Sequence, residues 1–182
     1  MDWKQTIEAF RHNPTEESFN ALFVAVYGRV RRYFLLRGTD AMTAEDLAQR
    51  VMFIVYNKSY ELADAGLFQG WLFTIARNEL LQHWRRGQSR IETVELEPLA
   101  EQLTIAGDLE LRAEFAEWLS LLEPNERELV LLRFVEGLSY EELALAFKTP
   151  LGTVKSRLFA VREKLLRIVE NKPVRSFGKK AR

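Results

Sequence analysis

Three groups of side chains in this 182-residue chain have types and spacings suited to gripping a partner, and none is suited to breaking a covalent bond. The first lies in "TPLGTVKSRLFAVREKL", residues 149 to 165. On a helical wheel Val154, Leu158, Val161, Leu165 and Ile168 share one apolar stripe, whereas Lys155, Ser156, Phe159 and Ala160 lie opposite. Lys155 can reach a phosphate or a guanine edge, Ser156 can bond backbone or base, and Phe159 can touch a thymine methyl. Thr153 and the helix N-terminus can meet a phosphate. The second group is Trp71, Asn78, Gln82 and Arg85 with Arg86 at its edge, an aromatic followed by amides and arginines along one helix face. Such a face can hold unpaired DNA, since stacking one base is worth ~1–3 kcal/mol and arginines follow phosphates. The third is Asp46, Gln49, Met52, Phe53 and Tyr56, bulky groups beside polar ones on the face opposite an apolar stripe, as in a protein-binding surface. Each has a plainer alternative: a solvated basic face, Trp71 tucked into core, or Met52 and Phe53 packed under a neighbouring helix.

Composition narrows the field. A hydrophobic fraction of 47% with 29% charged residues is that of a folded chain. No window approaches a membrane span and the start lacks the order of a secretion signal, so a cytoplasmic protein without membrane insertion is expected. There is no cysteine, and His12 and His83 stand alone, which argues against disulfides, thiol chemistry and a zinc site. No phosphate loop or nucleophile constellation is present, so neither an enzyme nor a cofactor is expected. The 26 basic and 26 acidic residues balance but are segregated. Acids crowd Glu92 to Glu117, whereas bases gather at Arg29 to Arg37, at Arg77 to Arg90, in the 149–165 helix and in the tail "RSFGKKAR". Clustered positive patches can bind nucleic acid whatever the total charge.

Helical periodicity dominates, so the fold class is all-α: two small helical domains joined by an extended acidic linker, the second a helix-turn-helix. Asn13-Pro14 is expected to cap a helix running to Gly38, and Thr43 the next, in which Leu47, Ala48, Val51, Ile54 and Val55 should be buried. A long helix covers "LFQGWLFTIARNELLQHWRR", with Leu72, Ala76 and Leu80 toward the core. Residues 89–109, acidic and patternless, read as the linker between a domain at 1–88 and another at 110–171, and 172–182 as a basic flexible tail. Pro124 should start "PNERELVLLRFVE", which Gly137 closes, and Ser139 with Glu142 forms a capping box for "SYEELALAF". Thr149 should cap, and Pro150 begin, the last helix, the second of the helix-turn-helix and the one that enters a major groove by its N-terminal end.

"LLEPNERELVLLRFVEGLSYEELALAFKTPLGTVKSRLFAVREKL" strongly resembles the promoter-recognising C-terminal domain of bacterial sigma factors of the extracytoplasmic-function (ECF) group, within the sigma-70 family. "AEDLAQRVMFIVY" is similar to the segment by which these factors grip the clamp coiled coil of the largest subunit of core RNA polymerase. "FQGWLFTIARNELLQHWRR" resembles the segment that lines a pocket for a base flipped from the non-template strand of the minus-ten element. The resemblance runs from about Phe19 to Ile168. It implies that Lys155, Ser156 and Phe159, with Arg157 and Arg162 nearby, read duplex DNA at the minus-thirty-five element. It implies that Asn78 and its neighbours hold melted DNA, that Asp46, Gln49 and Phe53 bind polymerase, and that an anti-sigma factor would mask the Met52/Phe53 surface. Lys148 replaces the usual glycine of the turn, Ala160 a common basic residue, and Arg50 an acid. His83 and Trp84 also depart from the pattern.

The expected function is therefore a sigma factor that binds core RNA polymerase, directs it to promoters and assists melting. The alternatives are a stand-alone helix-turn-helix regulator that needs no polymerase, and a sigma-like adaptor that recruits polymerase through another DNA-targeting partner.

Overall fold

The computed structural model describes residues 3–87 and 109–171; the expected linker up to Asp108 and the basic tail lie outside them. In chain order the helices are α1 (Trp3–His12), α2 (Glu16–Leu36), α3 (Ala41–Lys58), α4 (Phe68–Arg85), α5 (Leu109–Ser120), α6 (Pro124–Val130), α7 (Tyr140–Phe147) and α8 (Leu151–Asn171). No strand occurs among the described residues. Helix α1 has no counterpart in the expectations above. It turns Ile7 and Phe10 inward against α2 and stacks Trp3 on Phe68 at 5.8 Å.

Three starts differ from those expected, the first two because a neighbouring side chain is better aimed at the free N–H groups of the first turn. Helix α2 is capped by Thr15 and not by Asn13: Ser18 N–H donates to the Thr15 hydroxyl and Thr15 N–H to the Ser18 hydroxyl, which in turn donates to the Asn13 carbonyl. Asp40, not Thr43, caps α3, accepting from both the N–H and the hydroxyl of Thr43 at 2.9 and 2.7 Å. Those bonds hold the Asp40 carboxyl below its ordinary pKa. Before α8 the Thr149 hydroxyl is buried without a partner, so it caps nothing. The turn instead begins from the Pro150 carbonyl, which accepts from Thr153 and Val154.

Other signals act as read. The Ser139–Glu142 box is reciprocal, at 3.1 and 2.9 Å. Leu47, Ala48, Val51 and Val55 are buried, although Ile54 is only half-buried. Beyond α6 the chain widens into a π turn, Leu131–Val135, which ends at Gly137 with φ 77°. That turn leaves Glu136 buried, facing α2.

The two halves share one core. Leu129, Leu132, Leu138, Leu143 and Ala146 of the second half belong to the same buried cluster as Tyr33, Phe34, Phe73 and Leu80 of the first. Helix α7 lies on α4 so closely that a Cβ at Gly70 would stand 2.7 Å from the Glu142 backbone. Polar contacts line this seam. Glu136 takes Arg29 at 2.8 Å and Arg32 at 2.6 Å. Glu128, 1% exposed, accepts from Tyr33 Oη at 2.5 Å and lies 3.4 Å from both Arg37 and Arg77. Burial and the Glu128 charge push the Tyr33 hydroxyl well above its ordinary pKa, so it stays a donor.

Candidate nucleic-acid interface

Helices α7 and α8 form the helix-turn-helix, and one residue sets its angle. Lys148 ends α7 in the left-handed region, φ 50° and ψ 46°. Its N–H donates to Leu145 O, and that of Thr149 to Ala144 O, both at 3.1 Å. This is the helix-ending pattern in which glycine is favoured, because a Cβ crowds the backbone there. Lysine in place of the usual glycine thus puts a Cβ on a left-handed backbone, and this turn delivers the chain into α8.

Val154, Leu158 and Val161 bury the inner stripe of α8, and Leu165 and Ile168 continue it half-buried. Lys155, Ser156, Arg157, Phe159 and Arg162 are exposed, with Thr153 half-buried beside them. Phe159 is 62% exposed, a large apolar ring held in water by a helix that has no core to offer it. Ser156 donates to the Thr153 carbonyl at 3.0 Å, so its hydroxyl is also oriented. One residue beyond those expected joins the group. The Tyr140 ring, at the start of α7, lies 5.9 Å from Lys155 Nζ and 5.1 Å from Arg133 Cζ. A ring within that range attracts a cation by ~0.5–1 kcal/mol at an exposed site, enough to bias the lysine's rotamer. Its signal in the sequence was its place directly after the capping Ser139.

On α4, Leu72, Ala76 and Leu80 face the core as expected, and Gln82, Arg85 and Arg86 are exposed. Asn78 is half-buried. Trp71 divides its surface: it packs on the core, 6.2 Å from the Phe68 ring, while part of it stays accessible. Thr74 and Arg77 share α4 with this face but turn toward α7, where Arg77 stands over Phe147 at 4.9 Å.

On α3, Asp46, Gln49, Phe53 and Tyr56 form an exposed row, with Phe53 at 71%. Tyr56 is anchored at one end by Phe19, edge-on at 4.9 Å. Met52 does not belong to this face. It is 2% exposed and part of the core, because one step along a helix carries it some 100° from Phe53 onto the stripe of Ala48 and Val55. An open groove between α3 and α4, lined by Gln49, Arg50, Phe53, Ile54 and Glu79, flanks the row. No cluster of metal-ligating side chains occurs among the described residues.

Outward faces on α3, α4 and α8, the last within a helix-turn-helix, accord with the comparisons with known proteins. The family profile described as Sigma-70 region 2 matches residues 22–90, and that described as Sigma-70, region 4 matches residues 112–165. The chain belongs to the ECF group of the sigma-70 family. It is 30% identical over 161 residues to the ECF RNA polymerase sigma factor RpoE of Cereibacter sphaeroides, covering 86% of this chain and 89% of that one. It is 27% identical over 162 residues to the ECF RNA polymerase sigma-E factor of Escherichia coli, covering 81% and 84%. Among solved structures, the sigma factor RpoE of Bartonella quintana, determined with the anti-sigma factor NepR, is similar with a TM-score of 0.65 and 25% identity, over 86% of this chain and 99% of that one. CnrH shares the fold with a TM-score of 0.66 at 20% identity, over 94% and 100%. As a member of this family the chain is a sigma factor that directs RNA polymerase to promoters. A regulator working without polymerase is thereby set aside. No described helix is long and apolar enough to cross a membrane.

Proposed function

We propose that this sigma factor divides its work among three faces and acts by binding alone, with no catalytic residue of its own. Lys155, Ser156, Arg157, Phe159 and Arg162, with Thr153 at the helix start, read the minus-thirty-five duplex. Trp71, Asn78, Gln82, Arg85 and Arg86 hold the non-template strand of the minus-ten element. Asp46, Gln49, Phe53 and Tyr56 grip the clamp of the polymerase largest subunit. The observation that supports this division best is the unburied, ordered character of α8's outer face, where Phe159 and four polar or charged neighbours stand clear of any core.

Melting then needs no fuel. The α4 face binds the open strand and not the closed one, so it draws the equilibrium toward opening by its differential affinity. Joining the two domains raises the second contact's effective concentration, and the 21 residues of 89–109 reach ~70 Å when extended. The exposed Phe53 row is also the surface an anti-sigma factor would cover, in the cytoplasm where polymerase works.

The test is transcription from a library of promoter-like duplexes by purified chain with core polymerase. Initiation at selected start sites only when both are present supports the division, and Asn78→Ala and Lys155→Ala should each reduce it at least tenfold. Undiminished initiation by both variants would refute it. Firm polymerase binding without start-site selection would point to the adaptor role instead.

A further inference from the structure

Among the described residues the backbone takes a positive φ at four places, and at three of them, Gly38, Gly87 and Gly137, it uses glycine. The fourth is Lys148, at φ 50°. A Cβ there crowds the following carbonyl, so lysine costs free energy that glycine would not. No side-chain contact offsets that cost. Lys148 is exposed, and its ammonium makes no hydrogen bond, ion pair or ring contact with any described residue. Its neighbours turn the other way: Phe147 packs on the core against Arg77, and the Thr149 hydroxyl is buried. The lysine is left projecting into solvent.

Its place in the fold suggests what repays the cost. Lys148 begins the turn between α7 and α8. In a helix-turn-helix the second helix enters the groove, while the segment before it crosses the DNA backbone. Three steps of turn and four of helix separate Lys148 from Lys155. The two Cα atoms therefore lie within ~16 Å of each other, less than half of the ~34 Å turn of a duplex. A lysine ends in a compact charge on a flexible stem, which suits a phosphate. A residue held in a costly backbone state with no internal reward is the kind that function retains.

We infer that Lys148 is a phosphate contact of the duplex interface, holding the DNA backbone beside the groove that Lys155, Ser156 and Phe159 read. The inference rests on the proposed reading of α8 for its ligand. It extends that interface from the helix into the turn before it. The chain thereby trades stability of the turn for affinity, because the same side chain that strains the backbone supplies the charge. A phosphate contact carries no base information, so Lys148 raises affinity for every sequence alike and leaves selection to α8. The plainer role for a cation here is to meet the negative end of the α7 dipole. That role changes stability and leaves DNA binding untouched.

The test uses the full chain and a fluorescein-labelled duplex of random sequence, with anisotropy followed from about 50 to about 200 mM salt. Losing one phosphate contact flattens the plot of log affinity against log salt by about 0.9. Lys148→Gly and Lys148→Ala should each flatten it by that amount, so the parent's advantage in affinity should shrink ~3–4-fold across the range. Lys148→Arg keeps the charge and should keep the slope. Lys58→Ala removes an exposed lysine of α3 and should leave the slope unchanged. Lys148→Gly and Lys148→Ala differ in strain and not in charge. Equal slopes with unequal unfolding midpoints would therefore separate the DNA contact from the turn's stability. If Lys155→Ala flattened the plot and neither uncharged Lys148 variant did, the inference would fall while the α8 reading stood. A slope lost equally in Lys148→Arg would overturn it too, since charge would not be what the duplex meets. If none of these variants altered the slope, or the parent bound no duplex, the inference and the α8 reading would fall together.

Discussion

Replacing Lys148 by glycine should stabilise this protein, although glycine placed inside a helix usually destabilises. The residue sits at φ 50°, ψ 46°, where a Cβ costs ~1–2 kcal/mol relative to glycine. Against this, glycine enlarges the conformational freedom of the unfolded chain, a loss of ~0.4–1 kcal/mol. The two backbone bonds that close the turn are made by the N–H groups of residues 148 and 149 and survive the change. The Lys148 side chain is exposed, so its removal should cost little. The net expectation is a gain of about 0.5–1 kcal/mol. In urea unfolding, with a slope of ~1–3 kcal/mol per molar, the midpoint should rise by a few tenths of a molar, or Tm by ~2–4 °C. Lys148→Ala is the control: it removes the same charge and keeps the Cβ, so it should gain nothing. If glycine and alanine gave the same midpoint, the left-handed strain would not exist in solution and the account of the turn would be wrong.

Neighbouring residues on α3 should separate cleanly: Met52→Ala should cost ~2–5 kcal/mol in urea unfolding, whereas Phe53→Ala should leave stability nearly unchanged and weaken affinity for core polymerase. Asp40→Ala should cost ~1 kcal/mol near neutral pH through loss of the α3 cap. Because the folded pKa of Asp40 is lowered, its contribution is complete above the ordinary value of 3.8 and fades as pH falls through the lowered one. Unfolding curves of parent and variant should therefore converge in acid, and a gap that persisted there would refute the cap. Tyr140→Leu should weaken minus-thirty-five duplex binding by a few-fold in gel shift, and this loss should vanish in a Lys155→Ala background if the ring acts by orienting that lysine.

The helices themselves were legible because their signals are local. An apolar stripe with a period of 3.6 residues shows which side of α8 must be buried, so the exposed Lys155, Ser156 and Phe159 could be named without coordinates. The Ser139–Glu142 box and the positive-φ position at Gly137 are likewise decided by residues within one turn of each other. Sequence does not separate Asn13 from Thr15 or Thr43 from Asp40 as caps, because neighbouring side chains compete for the same N–H groups and only backbone direction chooses among them; at Thr149 that direction leaves the hydroxyl without a partner. Met52 was misassigned because a wheel drawn for one helix cannot say how wide the neighbouring core is. What no local pattern contained was the seam. Glu128 and Glu136 lie 51 to 107 residues from the arginines they hold, and Gly70 looks like any tolerated helix glycine until α7 is laid against it. Long-range pairing of buried charge depends on where whole helices pack, and packing is a property of the folded chain and not of any segment in it.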